Sequence, residues 1–163
     1  MSTIALIGYR GSGKSTLGKW LAAELNKPFI DTDDKVMAEL GYTSIKEVWE
    51  SLGEAGWRAA EARIIPLLLL KDAVVALGGG APMLPVVAAA LQSVPIVLNL
   101  CASQEVTIAR IERGHDRPQL NASDIDTLQH RLPTYLKLGT HLIDTSGDVV
   151  TSKVAILEAT IDS

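Results

Sequence analysis

Along most of this chain, short unbroken apolar runs alternate with segments whose apolar residues recur every three or four positions. The first reads as a buried strand and the second as a helix with one face packed. Residues 3–7 form the first strand. Residues 15–26 form a helix, with Leu17, Leu21 and Leu25 on one stripe. A short strand at 28–30 runs into Asp31-Thr32-Asp33-Asp34, and a helix at 33–40 stops at Gly41. Ser44 and Glu47 make a capping box. They open a short helix that Gly53 ends at Leu52, and a longer one follows over 54–70, bent or shortened by Pro66. A third strand at 73–77 meets Gly78-Gly79-Gly80 at once. Then come a helix at 84–92, a strand at 95–100 and a helix at 103–113 capped by Ser103. The polar segment 114–122 reads as a mobile lid, spanning about 112–124 with its hinges. A helix at 123–138, a strand at 141–143 and a helix at 152–161 close the chain. Five strands joined by helical crossovers predict an α/β fold around a parallel sheet, in one domain covering 1–163.

Composition narrows the function classes. Apolar residues make up 47% of the 163 and aromatics only 4%, so aliphatic side chains build the core. A net charge of −4 argues against nucleic acid as the main partner. An anionic ligand must therefore meet a local cluster of Lys and Arg. The single cysteine, Cys101, permits no intrachain disulfide and suits a reducing compartment. The apolar run 64–70 is too short to span a membrane, and no signal peptide is evident ahead of residue 8. A cytoplasmic monomer is the expectation.

The chemistry centres on Gly8 to Ser15, G-Y-R-G-S-G-K-S, which fits the phosphate-binding pattern G-x-x-x-x-G-K-[ST]. It lies between a predicted strand and a helix N-terminus, where backbone N–H groups and the dipole favour an anion. Gly11, Ser12, Gly13, Lys14, Ser15 and Thr16 are the nucleotide-binding candidates. Lys14 can reach the β/γ-phosphates, and the Ser15 hydroxyl can ligate Mg²⁺. Ligands bind at the carboxyl ends of such strands, so Asp31, Asp33 and the three glycines should converge on the same crevice. If the strand continues through them, Asp31 and Asp33 share a side. One carboxylate then serves Mg²⁺ through water and the other takes a proton from an acceptor hydroxyl. Helix capping by Asp33 or Asp34 is the competing reading. Arg58 has Glu61 three residues on and can grip a carboxylate in two-point geometry; taken alone, it reads better as an exposed ion pair. Arg117 in the lid can fold over phosphates. Arg131 follows on the next helix, and Arg110 or Arg113 can stack on a purine. His115, His130 and His141 show no metal-ligand spacing.

Together these features resemble the shikimate kinase family. The resemblance rests on the phosphate loop, F-I-D-T-D at 29–33, G-E-A-G-W-R-A-A-E at 53–61, and G-G-G at 78–80. R-P at 117–118, R-L-P-T-Y at 131–135 and I-D-T at 143–145 complete it. It implies a three-layer α/β/α P-loop kinase with a five-stranded parallel sheet and a mobile lid. It also implies ATP- and Mg²⁺-dependent phosphorylation of the 3-hydroxyl of shikimate, in aromatic amino-acid biosynthesis. By position, Lys14 would contact the transferred phosphate, Ser15 would bind Mg²⁺, and Asp31 would hold it through water. Asp33 would bind the acceptor hydroxyls and act as base. Arg58 and Arg131 would grip the carboxylate beside Gly79 and Gly80. Arg117 would close over the phosphates, and Arg110 would flank adenine. The chain departs from the family pattern at Gln119, Trp57, residues 136–139 and the adenine-side loop 146–149. A gluconate-type kinase and a nucleotide-binding module without turnover are the alternatives.

Overall fold

A computed structural model describes residues 2–103 and 122–161. The run Ile4–Ile7 forms β1, every residue of it buried, because helices cover both faces of this strand. Helix α1 (Lys14–Leu25) returns the chain to β2 (Phe29–Asp31). Helix α2 (Thr32–Leu40) and helix α3 (Ile45–Leu68) then lead to β3 (Val74–Ala76). A 3₁₀ turn (Ala81–Met83) and α4 (Pro85–Leu91) precede β4 (Ile96–Cys101). Helix α5 (Ala122–Leu138), β5 (His141–Asp144) and α6 (Val149–Ile161) complete the described chain.

The sheet order is β2-β3-β1-β4-β5, and every pairing is parallel. Alternation along the strands sorts the core into two layers. Ala5 and Ile7 face one way, with Ile65 and Leu68 of α3, Val87 and Leu91 of α4, and Leu128 and Tyr135 of α5. Ile4 and Leu6 face the other way, with Leu17 and Leu21 of α1 and Ile156 and Ala159 of α6. A smaller cluster of Val36, Val48, Trp57 and Ala60 ties α2 to α3. β1 sits where the chain's progress across the sheet reverses, from β2 and β3 on one side to β4 and β5 on the other. Such a switch point opens a crevice above the strand ends.

Two local signals held. Gly53 has φ 69° and ψ 178°, so the long α3 is two helices meeting at a kink, as the glycine after Leu52 predicted. Ser44 caps the first of them by accepting from the Glu47 amide at 3.1 Å. Two expectations change. The last helix begins at Val149, three residues early, because the Asp148 carboxylate accepts from Thr151 N at 2.7 Å and caps it there. The second strand does not continue through Asp33, since α2 starts at Thr32. The predicted helix 103–113 beyond Ser103, with Arg110 and Arg113, and the lid residues 114–121, with Arg117 and Gln119, lie outside the described residues.

Candidate active site

The phosphate loop leaves β1 at Ile7 and is shaped by glycine. Gly11 (φ 82°) and Gly13 (φ 98°) hold left-handed backbone that other residues adopt at a cost. A methyl group added at Gly8 would strike the Leu100 carbonyl of β4. Helix α1 begins at Lys14 with no side-chain cap and no acidic residue in its first turn. Its leading N–H groups and dipole are therefore directed at an external anion. The Ser12 hydroxyl is buried and lacks a hydrogen-bond partner among the described residues, which also suits a ligand in the loop. The Lys14 ammonium donates to the carbonyls of Gly8 and Tyr9, the latter at 3.1 Å, and so folds back over its own loop. Beside the loop, Thr16 and Leu17 face Thr145 and Val149 across a cavity of about 240 Å³. The segment expected on the adenine side thus lies next to the phosphate cradle.

The acceptor side is assembled from distant segments. Asp31 ends β2, and its carboxylate accepts from the amides of Asp33 (2.9 Å) and Asp34 (3.4 Å). The cap of α2 is therefore Asp31, where Asp33 or Asp34 had been the capping candidates. The shared-strand argument for Asp31 and Asp33 gives way to a capped helix N-terminus. That turn places Asp33 against Gly78, where an added methyl would collide with its carboxylate. The buried Thr32 hydroxyl accepts from Gly78 N at 3.0 Å and fixes the glycine segment to the same turn.

Each of the three glycines faces one of the predicted groups. Gly78 meets Asp33, Gly80 meets the Arg58 guanidinium, and Gly79 meets Arg131, whose Nη1 would lie 3.2 Å from an added methyl. None of the three has a positive φ. They are needed for space rather than for backbone conformation. The structure thereby brings Asp33, Arg58, Gly79, Gly80 and Arg131 onto one strip beside the phosphate loop.

Arg58 is not a surface ion-pair residue. Its Nη1 donates to Glu61 Oε1 at 2.6 Å, and Glu61 is 1% exposed. Its Nε also approaches Glu54 at 3.7 Å. Burial pushes the Glu61 carboxyl above the usual range, and the Arg58 charge opposes that shift. Asp34 is likewise raised, first by burial and then by the Asp31 charge, with Lys19 acting against both.

Sequence reasoning gave no role to Tyr9 or Tyr135. Tyr135 is buried, and its hydroxyl donates to the Gly79 carbonyl. The Tyr9 ring lies 5.8 Å from the guanidinium carbon of Arg131 and 6.0 Å from that of Arg10. The available signal was spacing: Tyr135 is one helical turn from Arg131. Cys101 is partly buried with its thiol pushed up by burial and then by Asp144, which favours an inert thiol over a nucleophile. No cluster of three or more His, Cys, Asp or Glu that would hold a metal directly occurs among the described residues. No described helix is long and apolar enough to cross a membrane.

Comparison with known proteins identifies the family. The shikimate kinase family model matches residues 10–160. The shikimate kinase of Bradyrhizobium diazoefficiens is 40% identical over 133 residues, 81% of this chain and 64% of that protein. The chain thus aligns with just under two thirds of that relative's length. The shikimate kinase of Caldanaerobacter subterraneus subsp. tengcongensis is 34% identical over 92% of this chain and 90% of its own. Among solved structures, shikimate kinase from Acinetobacter baumannii in complex with shikimate superposes with a TM-score of 0.85. That match has 29% identity and covers 99% of this chain and 94% of the other. A family match across nearly the whole chain, joined to a phosphate loop facing a glycine strip ringed by Asp33, Arg58 and Arg131, places this chain in the shikimate kinase family.

Proposed function

We propose that this chain transfers the γ-phosphoryl group of ATP to the 3-hydroxyl of shikimate. The observation that carries the reading is the glycine strip at 78–80, which sets one carboxylate and two guanidinium groups beside the phosphate loop. Shikimate offers matching chemistry, with a carboxylate for the arginines and vicinal hydroxyls for Asp33. In this reading Arg58, held by Glu61, and Arg131 bind the carboxylate in the two-point manner that guanidinium favours. Asp33 accepts hydrogen bonds from the ring hydroxyls and takes the proton of the attacking one.

The acceptor oxygen forms the new bond to the γ-phosphorus while the bond to the β–γ bridging oxygen breaks, leaving ADP. Such a transfer is driven mainly by placement and charge stabilisation. Lys14 leaves the loop carbonyls for the phosphates, and the amides of Gly11, Ser12, Gly13, Lys14, Ser15 and Thr16 cradle them. Ser15 and, through water, Asp31 would hold Mg²⁺, which neutralises developing phosphate charge when bound. Arg117 closes over the phosphates, and Arg110 flanks the adenine. The protein works as a cytoplasmic monomer.

The test is ADP release by the purified protein with Mg²⁺-ATP and shikimate, gluconate or no acceptor. Shikimate-dependent turnover exceeding that with gluconate by orders of magnitude is expected. Preference for gluconate would keep the phosphate chemistry and overturn the acceptor. Retained ATP binding without turnover on any acceptor would indicate a binding module.

A further inference from the structure

We propose that Tyr135 and Tyr9 are positioning residues that brace Arg131 from two sides, making the carboxylate-binding arginine one mechanical unit with the phosphate loop. The inference rests on the reading of Arg131 given above. Arg131 and Tyr135 sit four residues apart on α5, so they share a face of that helix. A methyl at Gly79 would lie 3.2 Å from Arg131 Nη1, 3.6 Å from the Tyr135 hydroxyl and 3.8 Å from the Gly8 carbonyl. The guanidinium, the phenol, the glycine strip and the phosphate loop therefore meet at one point.

On one side, the Tyr135 hydroxyl is committed as a donor to the Gly79 carbonyl, from a ring that is 1% exposed. Burial pushes that phenol up to about 12, against the nearby Arg131 charge, so it remains protonated and a donor at any working pH. On the other side, the Tyr9 ring stands within cation–π reach of the guanidinium at 5.8 Å. Tyr9 belongs to the phosphate loop, and its carbonyl accepts from Lys14 at 3.1 Å. In this conformation Lys14 therefore holds the peptide unit that carries the ring, a contact it gives up when it turns to the phosphates.

The physical gain is preorganisation. A long guanidinium side chain loses rotamer freedom when it grips a ligand, and bracing it beforehand removes that cost from binding. Core filling alone predicts a different outcome, because Phe at 135 fills the same space. Tyr135→Phe removes only the hydroxyl. The expected result is a shikimate KM raised about fivefold, as for one lost hydrogen bond, with kcat and the ATP KM within about twofold of wild type. With the cyclohexene triol that lacks the carboxylate, the ratio of wild-type to Tyr135→Phe kcat/KM should fall to about one. Tyr9→Leu should repeat this pattern and Tyr9→Phe, which keeps the ring, should not.

An unchanged shikimate KM in Tyr135→Phe overturns the brace. So does an equal penalty on the triol, which marks a general packing defect. Arg131→Lys separates this failure from that of the underlying reading. If Arg131→Lys raises the shikimate KM and both tyrosine variants do not, only the brace is wrong. If Arg131→Lys leaves it unchanged, the carboxylate role fails and the brace with it. Thermal unfolding verifies that each variant is folded, and Tyr9→Leu on the loop decides the matter should Tyr135→Phe unfold.

Discussion

The two halves of the site are built on opposite plans. The phosphate half is backbone: left-handed glycines, an uncapped helix N-terminus and one lysine, all within eight consecutive residues. The acceptor half is side chains: Asp33 from the start of α2, Arg58 and Glu61 from α3, Arg131 and Tyr135 from α5, gathered around the loop after β3. A backbone cradle is nearly indifferent to what its neighbours do. A side-chain cluster depends on each member being held by another. Losses of the groups that hold the phosphates should therefore strike turnover as a whole, and losses among the side chains that grip the acceptor's carboxylate should fall selectively on the acceptor.

The largest effects fall on the two groups that act at the transferring atoms, one from each half. Lys14→Ala should lower kcat by a factor on the order of 10²–10³ or more, since it removes a charge directed at the transferring group. Asp33→Asn should cause a loss of similar size. It keeps the shape against Gly78 while removing the proton acceptor. Thermal unfolding close to wild type confirms that both remain folded. Near-wild-type rates in either variant would defeat the assignment.

The next effect turns on the glycine strip. Gly80→Ala directs a methyl group into the Arg58 guanidinium. Overpacking of this kind costs about 1–3 kcal/mol when the neighbour cannot shift freely. Arg58 is held at its far end by buried Glu61, so it yields poorly. The shikimate KM should rise roughly 10- to 100-fold, with the ATP KM little changed. Steady-state kinetics varying each substrate in turn measure both. Equal rises in the two constants would mean that the strip serves the nucleotide as well.

This contrast also explains what was legible in the sequence. The sheet was readable because strands covered on both faces are unbroken apolar runs, such as Ile4–Ile7 and Val74–Ala76. The phosphate loop was readable because its determinants are contiguous. Arg58 was misjudged in isolation, because the burial of Glu61 comes from tertiary packing and has no mark of its own in the chain. The triple glycine was weak evidence alone for the same reason. Its meaning lies in which side chains crowd it, and those come from residues 33, 58 and 131. Asp31 illustrates a competition that sequence leaves open: with Asp at 31, 33 and 34, only the end of β2 decides which carboxylate caps α2. The tyrosines were overlooked because a phenol bonded to a glycine carbonyl leaves no motif beyond its spacing from Arg131.

The smallest effect joins function to stability through Glu61. Its folded carboxyl is raised by burial despite the pull of Arg58, so the native state binds that proton more tightly than the unfolded chain does. Stability from this group is therefore fully present below the unfolded value of 4.5 and is lost as pH rises through the raised folded value. Glu61→Gln abolishes that titration. The stability of wild type relative to Glu61→Gln should accordingly fall as pH rises across the window that opens at 4.5, as urea unfolding at a series of pH values would record. Binding should move the other way. Ionised Glu61 orients Arg58 through a charge-assisted bond that Gln replaces with a weaker neutral one. At neutral pH the variant should show a shikimate KM raised about two- to tenfold, the worth of one weakened hydrogen bond. In wild type the same KM should climb as acid protonates Glu61, while in the variant that part of the pH profile should be flat. A wild-type pH profile retained in Glu61→Gln would assign the titration to another carboxylate, with Asp33 the first to test.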